Sequence, residues 1–79
     1  MARKATLISA ERTENDVTLE IEFEIDGETT TKRYPFVQGG AQGITIMVDT
    51  IAAELARLCG LEDTHAYAVT KIGVVVAEV

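Results

Sequence analysis

The sequence predicts a two-layer α+β domain in the order β-β-β-α-β, and three observations predict it. Residues Val17 to Ile25 (VTLEIEFEI) alternate apolar and polar without a break, a two-residue period that helices cannot reproduce. From Ile44 the period becomes helical, with Ile44, Val48, Ile51, Leu55 and Leu58 recurring at three and four. After that helix, Tyr67 to Val79 (YAVTKIGVVVAEV) is again rich in β-branched residues.

The elements follow in order. Ala5 to Arg12 reads as a first strand, and Thr13-Glu14-Asn15-Asp16 behind it carries side chains that form turns against their own backbone. Val17 to Ile25 is the second strand. Asp26-Gly27 reverses the chain, as a two-residue type I′ loop or a three-residue loop with Gly27 left-handed, into a third strand from Glu28 to Val37. Pro35 cannot donate to a ladder, so that strand is ending there or lies at the sheet edge. Gln38 to Gly43 (QGGAQG) reads as a flexible connection. The helix then runs for about 15 residues and about 22 Å, enough to cross a small sheet once. Thr45 or Asp49 is placed to cap its start, Arg57 suits its last turn, and Gly60 suits a left-handed stop. A loop over Leu61 to Ala66 leads to the last strand, which is apolar on both parities: Ile72, Val74 and Val76 on one, Val69, Val75 and Val79 on the other. Such a strand belongs inside a covered sheet or in a contact between chains.

With one helix available, one face of the sheet is left uncovered. The odd-numbered residues of the second strand are expected beneath the helix, so Glu20, Glu22 and Glu24 are expected to point into water.

Composition bounds the function. The chain's 79 residues are expected to form a single domain, since so short a chain cannot build two cores. Hydrophobic residues at 47% and charged residues at 25% are the balance of a folded soluble protein despite a net charge of -6. No apolar run reaches membrane-spanning length, and the start MARKATLIS has no apolar leader core, so the expected location is the cytosol. The single Cys59 excludes an internal disulfide and a zinc site built on paired cysteines; it reads as core filling. The basic residues Arg3, Lys4, Arg12, Lys32, Arg33, Arg57 and Lys71 are scattered, which argues against direct binding to nucleic acid.

Three features of the chain bear on chemistry. Carboxylates at Glu20, Glu22 and Glu24 stand about 6.6 Å apart on a strand, and Asp16, Asp26 and Glu28 extend the negative patch around the hairpin. That spacing is comparable to successive phosphates, so the row suits a protein partner with a basic surface, as a nucleic-acid mimic. The plainer account is a solvated strand face partly neutralised across the hairpin by Lys32 or Arg33. The loop QGGAQG lacks the Lys-Ser/Thr of a P-loop and the spacing of a dinucleotide fingerprint, and reads as a spacer. His65 and Tyr67 have no second histidine, serine or thiol at a useful spacing, so no triad or metal cluster assembles. Neither an enzyme nor a cofactor is expected. The second functional expectation is self-association to a homodimer through the last strand, at Val69, Val75 and Val79.

The running order of strand, turn, acidic alternating strand, tip at Glu24-Ile25-Asp26-Gly27-Glu28, strand, glycine-rich loop, Ala-rich helix and final apolar strand resembles the small phage-encoded anti-CRISPR proteins. The resemblance rests on length, acidity and element order, with no diagnostic residue string. It implies a non-enzymatic inhibitor, encoded by a phage or mobile element, that blocks a CRISPR-Cas subunit in the bacterial host cytoplasm. No functional residue is carried over from that family.

Overall fold

The computed structural model describes Ala2 to Val79, the side chain of Phe36 excepted. Three strands, β1 (Arg3–Arg12), β2 (Val17–Ile25) and β3 (Glu28–Val37), form an antiparallel sheet in the order β1-β2-β3, and one helix, α1 (Gly40–Val69), packs against it. This is the two-layer α+β arrangement that the alternation of β2 implies.

Both hairpins are local. Thr13 receives its turn bond from its own neighbourhood: its backbone N–H donates to the Asp16 carbonyl at 2.9 Å and its hydroxyl donates to the Asp16 carboxylate at 2.7 Å. At the second hairpin Asp26 and Gly27 both have positive φ, 54° and 94°, and Ile25 pairs with Glu28, which makes the loop a two-residue turn of the primed kind. Its handedness matches the twist of the flanking strands.

Two irregularities shift the register. In β1 the pairing slips between Leu7 and Ser9, so Ile8 bulges, Arg3, Ala5, Leu7, Ala10 and Arg12 fall on the helix side, and Lys4, Thr6, Ser9 and Glu11 fall on the open side. In β3 the slip lies opposite Val17 and Leu19, at Pro35 and Phe36, and the strand still reaches Val37. Pro35 is tolerated because β3 is an edge strand.

The core is small: Leu19, Ile21 and Phe23 of β2, with Tyr34 and Val37 of β3, and Met47, Ile51, Leu55 and Leu58 of α1 packed onto them. The odd residues of β2 lie beneath the helix, as its alternation requires. No α1 side chain is fully buried. Along the helix, Met47 takes an inner place, whereas Ile44 and Val48 of the apolar period sit on the flank, more than a third exposed.

The helix is also longer at both ends than its apolar period suggests. It starts at Gly40 with Gly39 as N-cap in the left-handed region, φ 90°, and no side-chain cap; Thr45 instead donates its hydroxyl to the Ala41 carbonyl within the first turns. The segment QGGAQG is therefore not a flexible connection. Gly39 and Gly40 supply positive φ, and a Cβ on Gly43 would overlap the Gln38 carbonyl oxygen, so all three glycines are there to let the chain turn tightly into the helix. At the other end Gly60 is an interior helical residue, and α1 continues to Val69 with Thr70 as C-cap.

The last strand does not form. Tyr67 to Val69 complete the helix, residues 70–73 are turns with Gly73 at φ 84°, and residues 74–79 carry no regular structure. The physical reason is that a strand exists only through its neighbour: among the described residues nothing pairs with Val74 to Val79, while Ala66 and Ala68 favour carrying the helix onward.

Candidate functional site

At its paired positions the uncovered face of the sheet is polar. The open sides of the strands present Lys4, Thr6, Ser9 and Glu11 from β1, Thr18, Glu20, Glu22 and Glu24 from β2, and Thr29, Thr31 and Arg33 from β3. Four carboxylates stand there against two cations. Lys4 lies 3.7 Å from Glu24, and Arg33 lies 3.7 Å from Glu20 and 3.5 Å from Glu11. Glu22 sits between Thr6 and Thr31 and, among the described residues, has no ion-pair partner.

The six acidic residues expected around the hairpin thus separate. Glu20, Glu22 and Glu24 share the open face. Asp16 is held by the Thr13 hydroxyl in the first turn. Asp26 is clamped by Arg3, which donates to both of its oxygens at 3.2 and 2.9 Å and also to Asp63 at 3.0 Å. Glu28 pairs with Ile25 and so lies on the helix side, near Leu58, Leu61 and Glu62. Glu11 joins the open row in their place, because the bulge at Ile8 moves it across the sheet. No pattern in the sequence marks that bulge.

The displaced pKa values all belong to structural ion pairs. Arg57 and then Lys32 hold the Glu54 carboxyl at about 2, well below its usual 4.5, and Lys32 and Arg57 are raised in return. Hydrogen bonds from Arg3 lower Asp26 and Asp63, and those carboxylates raise Arg3. Among the described residues, no group of three or more His, Cys, Asp or Glu side chains is placed to hold a metal ion. His65 and Tyr67 are exposed on α1, not in a loop.

The two flanks of the helix differ. Toward β3 the seam is ionic: Lys32 donates to Glu54 at 2.9 Å, and Arg57 donates to the same carboxylate at 3.1 Å. Toward β1 the seam is an apolar groove of about 280 Å³ walled by Ala5, Leu7 and Ile21 below and Val48, Ile51, Ala52 and Leu55 above. Leu7 is 53% and Val48 55% exposed. Above this groove runs the free edge of β1, which is uncharged from Ala5 to Ala10.

A second apolar surface lies at the far end. Every residue from Asp63 to Val79 is exposed, including the three expected self-association positions: Val69 at the end of α1, and Val75 and Val79 in the tail. The tail folds back only as far as Tyr67 and Lys71. Among the described residues no helix is long and apolar enough to cross a membrane. No protein-family model, curated protein or solved structure matches the chain.

Proposed function

We propose that this chain is a non-enzymatic protein-binding module whose work is assembly, and that its first partner is itself. One observation carries the reading. The chain exposes 5980 Å², whereas a compact monomer of its mass would expose about 4,650 Å². The surplus of about 1,300 Å² exceeds the roughly 800 Å² per partner of a standard interface, and Leu7 and Val48 of the groove and Val74, Val75 and Val76 of the tail are among the large apolar side chains left more than half exposed. Light scattering on the full chain at 100 µM under reducing conditions tests the reading. A mass of twice 8.5 kDa is expected, and a strict monomer would remove self-assembly.

A second reading is favoured by Glu22, which has no ion-pair partner among the described residues and stands at the centre of the uncovered face. Here the module also meets a basic protein surface through Glu20, Glu22 and Glu24, and the resemblance supplies the class of target: a CRISPR-Cas subunit in a bacterial host's cytoplasm, blocked by an inhibitor of phage or mobile-element origin. Charge at such a face governs encounter rate and salt sensitivity more than affinity. Glu20→Lys with Glu22→Lys should abolish capture of the basic partner while leaving the melting temperature within a few degrees; undiminished capture removes the acidic face from the account.

A further inference from the structure

We infer that the tail from Val74 to Val79 is the fourth strand of a second copy's sheet: it adds to the free edge of β1 and fills the groove between Leu7 and Val48 of its partner, reciprocally in a two-fold dimer. The inference rests on the assembly reading above and deepens it by naming the seat and its occupant.

The sheet has two free edges and they are not equivalent. The β3 edge is guarded by Pro35 and by the ion pairs of Lys32, Glu54 and Arg57 along the adjoining seam. The β1 edge carries no charge from Ala5 to Ala10 and borders the open groove. An added strand there would gain main-chain hydrogen bonds from the edge and apolar contacts from the groove, the two components of strand addition.

The occupant is a segment with the right composition and no partner of its own. Val74, Val75 and Val76 are all more than half exposed. Past the Val74 amide, which donates to the Lys71 carbonyl at 3.0 Å, no amide of the tail has a backbone partner among the described residues. The tail also leaves from the wrong place to serve its own chain cheaply. Arg3 holds Asp63 at the end of the sheet, and the chain then travels a further turn and a half of helix before the tail begins. The molecule extends 59 Å along its longest axis as a result, with a radius of gyration of 17.3 Å where about 12 Å is usual for this length. A second copy brings a tail and a groove together at both ends of a symmetric pair, because an isologous interface uses each patch twice.

Two variants test the seat. Val48→Glu blocks the groove at an exposed helix position, and Val74→Glu with Val76→Glu blocks the tail, in a segment that contributes nothing to the core. Each alone should be monomeric by light scattering at 100 µM with an unchanged far-UV circular dichroism spectrum, and an equimolar mixture of the two should recover dimer, since one tail and one groove remain intact in the mixed pair. A tail variant that stays dimeric overturns this seat and leaves self-assembly standing, as does a mixture that stays monomeric when both variants are folded. A wild-type monomer overturns the seat and the assembly reading together.

Discussion

Glu54 is the residue through which helix and sheet are tied by charge. It sits on α1 at 13% side-chain exposure and receives Lys32 from β3 and Arg57 from one helical turn onward. Because its folded-state pKa lies below its usual value, at about 2 against 4.5, the interaction stabilises the fold in full above pH 4.5 and is lost as the pH falls toward 2. Asp26 and Asp63, lowered by Arg3, add to the loss in the acid range. Glu54→Gln should therefore lower the urea midpoint at pH 7, and the difference from wild type should shrink as the pH falls from 4.5 toward 2; a difference as large at pH 2 as at pH 7 would mean that packing and not charge is responsible. The sequence leaves Lys32 or Arg33 to neutralise the acidic row of β2 across the hairpin; the structure gives that place to Arg33 and turns Lys32 to Glu54. That partner lies 22 residues away on the helix, a distance in sequence that no local pattern reports.

At the scale of elements, legibility followed the strength of the period. β2 was readable residue by residue because one parity had to be buried. The helix was readable in its middle, where Ile51, Leu55 and Leu58 meet the sheet, and unreadable at both ends. Its start is made by glycine sterics at Gly39 and Gly43 and carries no capping side chain, and its run past Gly60 has no apolar period because no strand lies beneath the last turns. Gly60 itself resembles a stop signal but has helical neighbours on both sides and open space where a Cβ would be. Gly60→Ala should thus stabilise the fold by about 0.5–1 kcal/mol, through lower entropy of the unfolded chain, read as a rise of several degrees in the calorimetric midpoint. A fall would place Gly60 at a close contact with another chain.

The whole molecule explains why the remaining prediction failed as an element while keeping its apolar character. Tyr67 to Val79 has the composition of a strand, yet a strand is a relation between two segments, and among the described residues no segment of the same chain pairs with that one. The same absence leaves Leu7 and Val48 in water beside an unpaired β1 edge. A 30-residue helix of about 45 Å lies across strands of about 30 Å, so the helix overhangs the sheet. The acidic face is different in kind: its side chains are content in water, and two of the three central glutamates already have a cation within 4 Å.

Amide hydrogen exchange at Val75 to Val79 tests most directly whether the tail is a strand of a neighbouring copy. These amides should exchange slowly in the wild-type protein at 100 µM and at free-peptide rates in Val48→Glu at the same concentration, although that substitution lies in a different element. Exchange at free-peptide rates in both proteins would contradict the account, and so would equal protection in both.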